Sequence, residues 1–131
     1  MWILTFSFAL LCLAGFVEYK IHKRNLNAVP HRIHVNGIRG KSSTTRLIHG
    51  GLREAGFDVV AKTTGTEPRL IKEDGSEEVI SRLGIPRIIE QLRIFSRVKK
   101  RNPDIIVMEC MAVSPEMQWI SEKKLIKATI G

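Results

Sequence analysis

No lysine or arginine stands ahead of the first apolar run of this chain, no charge of either sign interrupts Met1 to Val17, and cysteine occurs only twice in 131 residues. Each shortage excludes something. Cys12 lies inside the apolar run and Cys110 at the end of an expected strand, without metal-ligand spacing, so neither a disulfide framework nor a zinc site is expected. A cleaved signal peptide wants basic residues before its apolar stretch and a small-residue cleavage site after it, whereas Lys20, Lys23 and Arg24 all follow the stretch. Acidic residues are short too: 13 against 21 lysines and arginines, a formal charge of +8. That balance suits anionic lipid, phosphorylated ligands or nucleic acid and does not choose among them.

What the N-terminus does have is length. Only Thr5, Ser7 and Gly15 break the apolar run to Val17, which is just enough to span a bilayer with some thinning. Residues 1–18 are expected to form an uncleaved transmembrane anchor, with Trp2 and Tyr19 as interfacial aromatics, and residues 19–30 a basic juxtamembrane linker stopped by Pro30. The basic cluster after Val17 keeps the remainder in the cytoplasm by the positive-inside rule, giving a single-pass protein of the cell membrane. A buried core helix is the alternative. What is left is roughly one soluble domain of about a hundred residues.

That domain is organised around Asn36-Gly37-Ile38-Arg39-Gly40-Lys41-Ser42-Ser43, which follows a short strand (Arg32 to Val35) and opens a helix. Two glycines let the backbone pass close to an anion, and the amides at a helix start have no intrahelical partner and can donate to phosphate oxygens. Lys41 supplies a point charge for the β- and γ-phosphates and Ser42 a hydroxyl for Mg²⁺. The pattern is Gly-x-x-Gly-Lys-Ser, shorter than the full Walker motif, whose first glycine is replaced by Val35.

Downstream, Leu47, Ile48, Leu52 and Ala55 are expected to share a helix face closed by Gly56, with Gly50-Gly51 explained by close packing on a sheet. Residues 57–63 read as a second strand, and its C-terminal loop offers the hydroxyls of Thr63, Thr64 and Thr66 to substrate or metal, or simply turns the chain. Residues 69–80 read as a hairpin around Glu73-Asp74-Gly75-Ser76. A helix starting near Pro86 carries an apolar stripe (Ile85, Ile88, Ile89, Leu92, Phe95, Val98). Its other face holds Arg87, Arg93, Arg97, Lys99, Lys100 and Arg101 against Glu90 alone. That face is expected to be solvated, with anionic lipid, a partner or nucleic acid as the other readings.

Asp104 to Met108 is a continuous apolar strand of the kind buried on both faces of a parallel sheet, and it ends in Glu109. In phosphate-loop folds an acidic residue at the tip of the strand beside the loop strand reaches Mg²⁺ next to the loop hydroxyl. Glu109 and Ser42 are the candidates, with Thr66 as a further metal contact; an ordinary strand-end carboxylate is the alternative. A helix from Ser114 to about Lys123 and a last strand at Lys127 to Ile130 complete an α/β, doubly wound, mostly parallel sheet of P-loop type, expected to be incomplete at Gly131.

Three stretches carry a resemblance: Asn36 to Ser42 with Thr45-Arg46, Lys62-Thr63-Thr64-Gly65-Thr66, and Glu109-Cys110-Met111-Ala112-Val113. In this order behind an anchor, they resemble the N-terminal third of the poly-gamma-glutamate synthase subunit family (PgsB/CapB), membrane-anchored relatives of the Mur ligases. Compared with the wider Mur ligases, Arg39 stands where asparagine is usual and Glu109 is followed by Cys-Met-Ala. The resemblance implies that residues 31–131 are the N-terminal part of a Mur ligase-like ATP-binding domain, using ATP and Mg²⁺. It implies an ATP-dependent amide ligase that activates a glutamate γ-carboxylate as an acyl phosphate for attack by another glutamate's amine, supported by Lys41, Ser42 and Glu109. Glutamate and poly-gamma-glutamate, membrane lipid and other membrane subunits of the synthase are the implied partners. No nucleic acid is expected, and a homo-oligomer stays open. A membrane-anchored P-loop ATPase or GTPase switch, or a truncated fragment without ligase activity of its own, are the other readings.

Overall fold

The computed structural model describes residues 1–65, 67–80, 89–110 and 115–130. Strand β5 (Ile105–Glu109) is the central strand of the parallel part of its sheet. Ile105 and Val107 point to one apolar cluster, Ile106 and Met108 to the other, and all four are buried, as alternation in a strand covered on both faces requires. Strands β1 (His31–Val35) and β2 (Val59–Lys62) flank it, both parallel. Beyond β2, β3 (Arg69–Ile71) and β4 (Glu77–Val79) form the expected hairpin and extend the sheet antiparallel, in the order β1-β5-β2-β3-β4. The sheet is therefore parallel in its β1-β5-β2 half only, because the hairpin joins its edge where a wholly parallel arrangement would need helical crossovers.

Helix α2 (Lys41–Glu54) packs Ile48 and Leu52 on the cluster of Val35, Val59, Ala61, Ile71, Ile105 and Val107. Its buried face is set by Thr45, Ile48, His49 and Leu52, so Leu47, expected inward, is 76% exposed, and Ala55 is exposed at the C-cap. Gly56 takes φ 94, the left-handed conformation expected of a glycine closing a helix. Gly50 and Gly51 do not pack closely on anything: a Cβ on either would meet no atom within 4 Å. Nothing in the structure explains them.

The opposite face of the sheet is covered by α3 (Ile89–Lys99), through Ile94, Phe95 and Val98, and by the end of α1 (Trp2–Asn27). Ile85, Pro86, Arg87 and Ile88 lie outside the described residues, as do the side chains of Ile89, Glu90 and Leu92. On the basic face of α3, Arg97 lies 4.0 Å from Glu78, and just beyond its end Arg101 lies 3.0 Å from Glu73, so the hairpin's acids answer part of that charge.

α1 is long and apolar enough to cross a membrane. The segment expected to be a linker is helical through Asn27, and Leu26 and Val29 are buried against α3 in the core. The ring of His22 meets Phe95 edge-on at 6.1 Å. Arg32 fixes this joint: its Nη1 donates to the carbonyls of Leu26 (2.9 Å) and Val29 (2.7 Å), and its Nε to that of Lys127 (3.0 Å). At the far end of the chain α4 (Pro115–Ile120) passes into a π-helical turn (Ser121–Ile126) ended by Lys127 at φ 48. The expected last strand is a single parallel bridge from Ile130 to Ile33 on the free edge of β1. Ser114, the expected cap of α4, and Gly131 lie outside the described residues.

Candidate functional site

β1 delivers the loop at its C-terminal end, and the loop's shape follows from its residue types. Asn36 Oδ1 accepts from the amide of Gly37 at 2.8 Å, and Asn36 Nδ2 donates to Gln118 Oε1 at 3.1 Å. Gly37 and Gly40 then take φ 148 and 75, conformations an L side chain rarely adopts. Residues 36–40, Ile38 and Arg39 included, are exposed. Gly40 caps α2 without any side-chain hydrogen bond, and the first helical bond runs from Thr44 N to Gly40 O. The amides of Lys41, Ser42 and Ser43 are thus the orphan donors of a 14-residue helix. Its first turn has no acidic residue and begins with a lysine, a cation placed against the helix dipole at a cost of about 0.3–1 kcal/mol. A bound anion would reverse that cost.

Opposite the loop stands Glu109. In the β1–β5 register it pairs with Val35, the last strand residue before the loop, and the amide of Cys110 donates to the Val35 carbonyl at 2.8 Å. The residue is 3% exposed, and one carboxylate oxygen, Oε2, accepts two bonds: from Ser42 Oγ at 2.8 Å and from the Thr64 amide at 2.9 Å. Three segments remote in sequence, the start of α2, the end of β5 and the loop after β2, therefore converge on one carboxylate.

Thr63 has a different use. Its Oγ1 accepts from the amide of Arg69 at 3.2 Å and contacts the Arg69 carbonyl at 3.5 Å, so it closes the entry to the hairpin. Thr66 lies outside the described residues, as do Met111, Ala112 and Val113. Thr45 donates back to the Lys41 carbonyl at 2.8 Å, and Arg46 pairs with Glu77 at 3.1 Å, tying α2 to the hairpin. That guanidinium, aided by Arg69, holds the Glu77 carboxyl below its ordinary range against a smaller opposing effect of burial. Gln118, which orients Asn36 from α4, carries no local sequence signal; only the fold brings it to the loop.

Among the described residues there is no group of three or more His, Cys, Asp or Glu side chains that could hold a metal alone. Mg²⁺ does not need one. It binds through one or two carboxylates, keeps several waters and takes its remaining oxygens from substrate phosphates. Glu109 and the Ser42 hydroxyl, in contact beside the loop, are a hard-oxygen pair of the right kind.

Comparison with known proteins agrees with the motifs. Over 133 aligned positions covering the whole chain it is 42% identical to "PGA synthase CapB" of Bacillus subtilis (strain 168). The chain is a relative of CapB. It is also 40% identical over 123 positions, 92% of its length, to "Capsule biosynthesis protein CapB" of Bacillus anthracis. It spans 34% of the first of these CapB proteins and 26% of the second. No protein-family model matches the chain, and no solved structure matches it.

Proposed function

We propose that the chain forms the nucleotide-binding part of a membrane-anchored, ATP-dependent amide ligase that makes poly-gamma-glutamate, built on a P-loop domain of the Mur ligase type. The observation that carries this is the bond from Ser42 to Glu109 beside a glycine-shaped loop at a helix N-terminus. The names of the CapB relatives supply the polymer: one is called a PGA synthase, the other a capsule biosynthesis protein.

On this reading the loop amides and Lys41 hold the phosphates of ATP, and Glu109 with Ser42 holds Mg²⁺, which neutralises phosphate charge when bound. A glutamate γ-carboxylate oxygen attacks the γ-phosphorus and ADP leaves. The acyl phosphate so formed is attacked by the amine of a second glutamate, which loses a proton, and inorganic phosphate leaves as the amide forms. Such chemistry needs positioning and charge neutralisation more than a protein nucleophile. Residues Trp2 to Val17 span the membrane, and the cations that follow keep the domain in the cytoplasm.

The test is a chimera in which this chain replaces the matching third of Bacillus subtilis CapB, assayed for glutamate-dependent ADP release. Lys41→Ala is expected to lower turnover at least about a hundredfold, while Arg97→Ala, an exposed pair with Glu78, changes it less than about twofold. Equal losses would mean that the loop is not where the chemistry happens. ADP release indifferent to glutamate would favour a nucleotide switch over a ligase.

A further inference from the structure

The second half of α1 and the π-helical turn with Lys127 line an open groove of about 500 Å³, formed by Gly15, Glu18, Tyr19, His22, Lys123, Lys124 and Lys127. Its place along α1 is specific. Gly15 lies within the uncharged run and His22 beyond the first charges, and the seven-residue step between them rises about 10 Å. The headgroup layer on one side of a bilayer is about 5–8 Å thick. If α1 spans the membrane as proposed above, the groove therefore opens at headgroup depth.

Its chemistry fits that depth. Gly15 leaves room beside the helix, and Tyr19 is the amphipathic ring favoured at interfaces. Three ammonium groups come from a different element, held against α1 by the Arg32 bonds to Leu26, Val29 and Lys127. Lys123 pairs with Glu122 at 3.2 Å. Lys124 and Lys127 have no acidic side chain at ion-pair distance among the described residues, and on the groove wall only Glu18 opposes them. On the flank of α1, Lys20, Lys23 and Arg24 line a second, smaller pocket, and Lys20 Nζ sits over the Phe16 ring, 5.0 Å from its centre, in a cation–π contact.

We infer that this groove is a binding site for the headgroup of an anionic glycerophospholipid, with Lys124 and Lys127 contacting its phosphate. The bound lipid fastens the π-helical turn, and with it the nucleotide-binding domain, to the membrane surface in one orientation. The anchor alone would hold the domain near the bilayer; the lysines fix how it sits there.

The experiment uses the full chain in a zwitterionic detergent, titrated with phosphatidylglycerol or phosphatidylcholine, with bound lipid counted by native mass spectrometry. Phosphatidylglycerol is expected to bind more tightly, and Lys124→Gln/Lys127→Gln to weaken it about thirtyfold, the combined effect of two cations at an anionic surface. Lys124→Arg/Lys127→Arg should restore binding. Arg97→Gln/Lys100→Gln, an equal charge change at the end of α3 and the residue just after it, should leave it intact. Equal losses in both glutamine pairs would reduce the effect to net charge and overturn the site. Competition by inorganic phosphate or by poly-glutamate at the lipid's own concentration would mark a free-anion or product site and overturn it as well. An alkaline carbonate wash separates the premises: release of wild-type chain from membranes refutes the anchor itself, whereas retention with undiminished lipid binding by the glutamine variant refutes only the groove.

Discussion

Replacing Arg32 should be among the most damaging single changes in this chain, although no motif marks it. Its guanidinium donates to three carbonyls at helix ends, that of Leu26 in the last turn of α1, that of Val29 two residues beyond it and that of Lys127, which ends the π-helical turn; carbonyls at such ends lack their regular i+4 donors. A hydrogen bond from a charged donor contributes about 1.5–3 kcal/mol, so three nominally give about 4–9 kcal/mol. Two effects reduce this. Burial already disfavours the charged guanidinium and holds its pKa below the ordinary arginine value, and water can reach part of the site to serve a vacated carbonyl. Arg32→Met, which keeps the aliphatic stem, should then cost about 3 kcal/mol, a large part of the 5–15 kcal/mol typical of a folded domain. Arg32→Lys should recover less than half, because one ammonium cannot fork to three acceptors. Urea titration of the full chain in micelles, read by pulse proteolysis, measures both. A cost below about 1 kcal/mol for Arg32→Met would show that water satisfies the three carbonyls as well as the arginine does, and the joint between α1 and the domain would need another explanation.

Other expectations follow from single sites. Burial lowers the His34 pKa from its ordinary 6.5, with Glu122 opposing; Nδ1 lies 3.9 Å from Glu122 Oε2, too far for a hydrogen bond, and neither ring nitrogen has a hydrogen-bond partner among the described residues. The unfolded chain takes up that proton first, so stability should fall as pH drops below about 6.5 and level off below the folded pKa; His34→Gln should flatten this window, and an unchanged profile would remove His34 as its cause. Gly51→Ala should raise stability by about 1 kcal/mol, since the added methyl meets nothing; a loss in urea titration would reveal a constraint on α2 that the packing does not show. Glu109→Gln keeps an acceptor oxygen for Ser42 and Thr64, so stability should change by less than about 1 kcal/mol, while Mg²⁺-dependent binding of a fluorescent ATP analogue falls at least about tenfold. Equal binding by the variant would remove Glu109 from the metal site.

The loop and β5 were legible in the sequence because each is written locally. Positive-φ positions demand Gly37 and Gly40, and a run such as Ile105 to Met108 belongs in the middle of a sheet. The meeting of Ser42 with Glu109 could be anticipated only through the general rule that a strand-end acid lies beside such a loop. What stayed hidden depends on contacts between distant segments. Gln118 reaches Asn36 across 82 positions. Arg32 was legible only as the first residue of an expected strand. Leu26 and Val29 looked like linker because their partners, Phe95 and Val98, sit in a helix some seventy residues away. Leu47 was misplaced for a simpler reason: the buried arc of α2 runs through Thr45, Ile48, His49 and Leu52, and Leu47 lies just outside it on the side away from His49.

β1 connects the two ends of this architecture. Arg32, near its start, grips the end of α1, and Asn36, just past its end, shapes the loop. Four residue steps along the strand separate these places by about 13 Å, and all three parallel strands run the same way, so the loop opens at the end of the sheet remote from α1. Alongside, α4 and the π-helical turn cover a similar distance in the opposite direction, with Gln118 at the loop and Lys127 at Arg32. The same segment thus touches the loop at one end and lines the lysine groove at the other. If lipid fastens one end and nucleotide the loop, the two ligands act on a single continuous element, and residues 115–127 give binding of either a direct route to favour the other. Removing the Gln118 contact with Gln118→Ala should therefore abolish any effect of phosphatidylglycerol on the affinity for ATP while leaving lipid binding itself intact. Coupling that survives the substitution would have to travel by another route.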